Sequence, residues 1–199
     1  MTEPRVTPVV DVTPDHTFGP SALATPANGI TVARLLATPA LVVMVALRGA
    51  SWTAFAVAFA IGATDGIDGW LARRQGTTRS GAFLDPLADK VVVLSALFVL
   101  AAKAAFSWFP VALIATRETS MSAYRARAGR RGVSIPARMS AKVKTLVQGI
   151  AVLLALAPPL RGHRPVLSVA IWVAVVFTLV TGAQYLVDGR RAARRGQRP

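Results

Sequence analysis

The stretch Thr64–Lys90, TDGIDGWLARRQGTTRSGAFLDPLADK, decides how the rest of the chain is read. It places four of the nine acidic residues, Asp65, Asp68, Asp85 and Asp89, within 25 positions, although the sequence on both sides is strongly apolar. Asp65 and Asp68 are spaced i, i+3 and Asp85 and Asp89 are spaced i, i+4, so each pair shares one face of its own helix. If the two helices lie side by side, four carboxylates converge. Such charges repel one another and lose hydration, which is unfavourable without compensation. Divalent cations supply it: Mg²⁺ prefers oxygen ligands and commonly sits between carboxylates and substrate phosphates. A pair of ions roughly 3.5–4 Å apart suits displacement at phosphorus, because it stabilises both the attacking and the leaving oxygen. Two other readings stand beside this one. The aspartates could be salt-bridge partners for Arg73, Arg74 and Arg79, with Gly62, Gly66 and Gly69 present for close helix packing. A cation-transporting site would also explain carboxylates in apolar surroundings, but it gives no reason for Gly66, Gly69, Ala72 and Gly81 to flank them.

The surroundings fix the class of protein. Hydrophobic residues make up 53% of the 199 residues and charged residues 16%, and the mean hydropathy is +0.50. A membrane bundle forming one domain is the expectation, not a water-soluble globule. The net charge of +14 sits in short basic clusters between apolar runs. That pattern fits loops facing anionic lipid headgroups and not nucleic acid, for which a folded basic domain or interleaved aromatics would be needed. No cysteine is present, so disulfides and thiol chemistry are excluded.

Along the chain, residues 1–27 carry five prolines and three acids. They lack the basic start and apolar core of a signal peptide and read as a flexible cytoplasmic tail, interfacial at its end. Residues 28–188 read as a six-helix transmembrane domain. Ile30–Leu47 is apolar except for Arg34, which can snorkel to the headgroups or turn into the bundle. The second helix runs from Ser51 to about Ala72, the third from near Phe83 to Ala102, the fourth from Trp108 to about Ala126 and the fifth from about Met139 to Ala157, where Pro158 and Pro159 stop it. Pro165–Val187 is the cleanest span, 23 residues without a charge. Residues 189–199 form a basic cytoplasmic tail. Six spans put both termini, the Arg73–Arg79 turn and the Arg125–Arg138 loop on one side, and the opposite connections hold only Arg48, Lys103, Arg161 and Arg164. By the positive-inside rule the arginine-rich face, and with it the aspartates, is cytoplasmic in a multi-pass protein of the cell membrane. His163, flanked by Arg161 and Arg164, reads as a solvated loop residue, and the four tryptophans as interfacial anchors or packing.

Asp65-x-x-Asp68-Gly69-x-x-Ala72-Arg73, followed by Gly81-x-x-x-Asp85-x-x-x-Asp89, resembles the signature of the CDP-alcohol phosphatidyltransferases, membrane enzymes that displace CMP from a CDP-linked lipid by an alcohol. The signature fixes eight identities. Its spacer from Arg73 to Gly81 holds seven residues here, one fewer than in many members. The resemblance implies an all-α CDP-alcohol phosphotransferase fold and a homodimer. It implies Asp65, Asp68, Asp85 and Asp89 as ligands of Mg²⁺ or Mn²⁺, two ions in number, with Asp89 also the general base. It further implies that Gly69, Ala72, Arg73, Thr78 and Gly81 wall the CDP pocket, and that Asn28 and Thr31 in Asn28-Gly29-Ile30-Thr31 contact the pyrophosphate of CDP-diacylglycerol. Asn28 could instead simply cap the first helix. The chemistry is coherent on its own terms. An aspartate with a reference pKa of ~3.9 is a weak base toward an alcohol and needs help in stabilising the alkoxide.

The acceptor must be chosen elsewhere. Thr116-Arg117-Glu118 with Ser122, then Lys142-Val143-Lys144-Thr145, resembles the phosphatidylglycerophosphate synthase branch of the family, which uses glycerol 3-phosphate. Isolated cations within helices at a membrane are costly, and a phosphate-bearing acceptor would justify Arg117, Lys142 and Lys144. The alternatives are that Arg117 pairs with Glu118 while the lysines snorkel, or that the acceptor is an inositol phosphate or, as in cardiolipin synthases, phosphatidylglycerol.

Overall fold

A computed structural model describes residues 26–75, 81–130 and 139–195. Among these the chain forms six α-helices: α1 (Pro26–Arg48), α2 (Trp52–Gln75), α3 (Gly81–Ala102), α4 (Trp108–Arg130), α5 (Met139–Leu156) and α6 (Arg164–Arg195), with a 3₁₀ turn at Pro158–Leu160. The helix count read from the sequence holds, and the ends differ in one direction. α1 starts at Pro26, so Asn28 lies within its first turn and does not cap it. α2 and α4 run on to Gln75 and Arg130. α6 continues through the arginines to Arg195, so the boundary set at 188 does not interrupt the helix. Arg, Ala, Leu and Gln are good helix formers, which carries each helix past the point where its apolar pattern stops.

α1 packs against both α2 and α3, α5 against α6 and also α2 and α3, and α4 against α6 and α3. On α1 the residues Thr31, Arg34, Thr38, Leu41 and Val45 are all buried. Their spacings alternate between three and four, which makes one helix face. That face meets a core of Leu97, Leu100, Ile114, Leu156, Ile171 and Val175 drawn from α3, α4, α5 and α6. The outward faces are also apolar: Leu36, Leu47, Phe59, Phe109 and Val169 are each more than half exposed. Among the described residues two helices are long and apolar enough to cross a membrane, over Gly29–Arg48 and Arg164–Val187.

Short turns join the helices at one end. Gly49, with φ of 69°, closes α1 through its N–H to the Val45 carbonyl at 2.9 Å, a left-handed stop that glycine adopts without strain. The Arg161 Nη2 donates to the carbonyls of Arg48 (3.2 Å) and Ala50 (3.0 Å), and a side chain at Gly49 would put a Cβ 2.8 Å from it. Ser51 Oγ accepts from the Ala54 N–H at 3.2 Å and starts α2, as an N-cap residue does.

Candidate active site

The helical register sets Asp65 and Asp68 in the last turns of α2 and Asp85 and Asp89 in the first turns of α3. Asp65, Asp68, Asp85, Gly69, Ala72, Arg73, Gly81, Asn28 and Lys142 are described as helical positions only, and Thr78 lies outside the described residues. For Asp89 the side chain is described, and its partner comes from α1. Arg34 Nη1 donates to Asp89 Oδ1 at 2.6 Å, with the arginine side chain 2% exposed and the carboxylate 32% exposed. Arg34 therefore turns into the bundle and does not snorkel. Thr31, at the end of the predicted entry segment, is buried one turn before it, and Thr38 Oγ1 donates to the Arg34 carbonyl at 2.9 Å. The signal for this pair was a lone charge in an apolar run, three residues after Thr31 and so on the same helix face.

A second polar cluster lies among α3, α4, α5 and α6. Glu118 is at its centre: its Oε1 accepts from Arg117 Nη1 at 2.9 Å and from Lys144 Nζ. Arg117 Nη2 also donates to Thr181 Oγ1 at 3.0 Å, and Arg117 Nε is buried with no hydrogen-bond partner among the described residues. Lys90 Nζ donates to Ser122 Oγ, whose hydroxyl donates to the Glu118 carbonyl at 2.7 Å. Gln148 Nε2 donates to Thr178 Oγ1 at 2.8 Å, both side chains buried. Among the described residues three cations, Lys90, Arg117 and Lys144, thus act on the carboxylate of Glu118. Gly182 makes room for the cluster, since a Cβ there would lie 2.9 Å from Arg117 Nε. The structure brings Arg117 and Lys144 together on Glu118, so Arg117 makes the pairing with Glu118 that the alternative reading named, and Lys144 turns inward to the same carboxylate. Thr181, Gln148 and Thr178 were not foreseen, because hydroxyls and amides in an apolar helix carry no periodic signal of their own.

The two parts of the site meet on α3, where Asp89 faces Arg34 of α1 and the next residue, Lys90, reaches Ser122 of α4. Successive helical residues point about 100° apart, so this one step turns from the carboxylate end of the bundle to the cationic cluster.

α2 and α3 thus each carry a carboxylate pair, and Asp89, the member whose side chain is described, adjoins the buried cation cluster through Lys90. The CDP-alcohol phosphatidyltransferase family matches residues 24–180, and the chain belongs to it. Among its relatives, a protein of Mycobacterium tuberculosis named as a probable phosphatidylglycerophosphate synthase is 37% identical over 183 residues, covering 87% of this chain and 85% of its own. A CDP-diacylglycerol–glycerol-3-phosphate 3-phosphatidyltransferase of Shigella flexneri is 39% identical over 171 residues, or 81% and 92% of the two chains. Another of that name, from Pectobacterium atrosepticum, is 42% identical over 134 residues, 64% and 72% of the two chains.

Proposed function

We propose that the protein transfers the phosphatidyl group of CDP-diacylglycerol to glycerol 3-phosphate, giving phosphatidylglycerophosphate and CMP. The observation that carries this reading is the gathering of Arg117 and Lys144 on Glu118, linked through Ser122 to Lys90, the residue after Asp89 on α3. A phosphate on the acceptor would be held by Lys144 as a point charge and by Arg117 through its unspent Nε–H. That anchoring presents the acceptor hydroxyl toward Asp89, and fixing the two reactants in one geometry is itself a large part of such catalysis. Lys142, two residues before Lys144, belongs to the same reading, as do the names of the relatives.

Asp89 takes the proton of the attacking hydroxyl as a new oxygen–phosphorus bond forms at the phosphorus bearing diacylglycerol. The bond from that phosphorus to CMP breaks, and CMP leaves with the electron pair, with Arg73 placed to meet its charge. Arg34 holds the Asp89 carboxylate in place through their ion pair. The oxygen-only donor set of Asp65, Asp68, Asp85 and Asp89 fits hard divalent cations, and two Mg²⁺ or Mn²⁺ ions held there would supply charge stabilisation for the alkoxide and the leaving phosphate. Asn28, Thr31, Gly69, Ala72, Thr78 and Gly81 complete the pocket for the CDP-lipid.

In this reading all six helices cross the cell membrane, the site and both termini face the cytoplasm, and the protein works as a homodimer. The apolar outward faces support the membrane setting, as does the crowding of basic residues toward one end. The test is product identity. Purified protein given CDP-diacylglycerol, Mg²⁺ and one acceptor at a time should yield, by mass spectrometry of the lipid, phosphatidylglycerophosphate from glycerol 3-phosphate. Product from an inositol phosphate or from phosphatidylglycerol instead would overturn the acceptor assignment.

A further inference from the structure

The four basic residues in the connections opposite the aspartates come from three separate turns, yet Arg48, Lys103, Arg161 and Arg164 all line one cavity of about 370 Å³. This is within the roughly 300–1,000 Å³ of small-molecule sites. No acidic residue occurs in those turns, and among the described residues none lines the cavity. Its floor is apolar and belongs to the core: Val45, Leu100, Ala155 and Leu167 are each less than 5% exposed. Each of the three turns bends through a left-handed residue at the cavity wall, Gly49, Ala104 and Gly162. Ala104 does so at φ of 57° without the freedom of glycine, a conformation that persists only where the surroundings impose it.

Like charges gathered around one space repel, and the cost is relieved by an anion. Helix capping accounts for part of the set. α1 ends here, and Arg161 is committed to carbonyls at its end, where the dipole favours a cation. Capping does not account for Arg164, which opens α6, the end at which the dipole disfavours positive charge. The depth of the cavity is marked by Trp52 and Trp108, which start α2 and α4 and are 61% and 55% exposed. Exposed tryptophans at helix ends mark the boundary between hydrocarbon and headgroups.

We infer that this cavity binds an anionic phospholipid, its phosphate among Arg48, Lys103 and Arg164 and the start of its acyl chains against the apolar floor. A free anion would leave that floor facing water, and a zwitterionic headgroup would bring a further cation into a site that already holds four. The inference rests on the membrane setting proposed above and is independent of the acceptor.

The test compares the full-length protein, purified in detergent and stripped of lipid, with Lys103→Gln/Arg164→Gln. Native mass spectrometry follows the retention of dioleoyl phosphatidylglycerol, dioleoyl phosphatidylcholine or inorganic phosphate. The wild type should hold one phosphatidylglycerol at least tenfold more tightly than the double variant, with phosphatidylcholine held weakly and equally by both. The charge-keeping Lys103→Arg/Arg164→Lys should retain the tight lipid, which separates loss of charge from loss of fold. Release of CMP in the transfer assay should be unchanged in either variant, so this result and that of the reaction are read separately. Equal retention of phosphatidylglycerol by wild type and double variant would overturn the inference. So would inorganic phosphate displacing the lipid at comparable concentration, which would make the cavity a site for soluble anions.

Discussion

Arg34 on α1 and Asp89 on α3, 55 residues apart in sequence, form an ion pair of 2.6 Å in which the arginine is almost wholly buried. The pair ties the helix of the predicted entry segment to the helix of the proposed base. Removing the guanidinium takes a charged partner from a partly buried carboxylate, and a hydrogen bond to a charged group is worth about 1.5–3 kcal/mol. Arg34→Gln should lower kcat by at least tenfold and reduce the unfolding temperature in detergent. Arg34→Lys should recover part of the activity, since it keeps the charge and loses the fork. Unchanged kcat in Arg34→Gln would remove Arg34 from the account.

Asp89→Asn keeps the shape of the side chain and removes its basicity. General-base catalysis contributes about 10²–10⁴-fold, so turnover should fall by at least two orders of magnitude. Binding of the CDP-lipid, followed by equilibrium titration, should remain largely intact. An equal loss of binding would show that Asp89 serves chiefly in holding metal.

Arg117 lies against the bare backbone of Gly182. Gly182→Ala forces the guanidinium away from its place beside Glu118 and Thr181, and overpacking of this kind costs about 1–3 kcal/mol. The KM for glycerol 3-phosphate should rise several-fold while that for CDP-diacylglycerol stays unchanged. Arg117→Gln and Lys144→Gln should show the same split. Because both cations share one carboxylate, their effects should be non-additive in a double-mutant cycle.

Gly49 tests the opposite end of the bundle. Gly49→Ala must adopt a left-handed conformation, costing about 1–2 kcal/mol, and must also push Arg161 aside. The unfolding temperature should drop, whereas the activity of the folded fraction should not, because the residue is far from the aspartates.

The sequence was most legible where charge stands against an apolar background. Four aspartates at helical spacings survive any error in helix boundaries, and six apolar runs yield six helices. The ends were read short at Ala72 and Ala126 because the apolar pattern stops there, while the helices continue on residues of good helical propensity. The pairing of Asp89 with Arg34 was not legible: Arg73, Arg74 and Arg79 were nearer in sequence, and this pair is made by the packing of α1 on α3. Arg117 beside Glu118 could be seen as neighbours in sequence. The sharing of that carboxylate with Lys144 required α4 and α5 to be brought together through their common neighbours α3 and α6, which no local spacing encodes.

The most direct test of the central claim is CMP release by purified protein in detergent with CDP-diacylglycerol and Mg²⁺. We predict release that begins only when glycerol 3-phosphate is added and is lost on chelation of the metal. Absence of CMP release with any alcohol, together with divalent-cation flux in liposomes containing the protein, would contradict the account and identify the aspartates as a transport site.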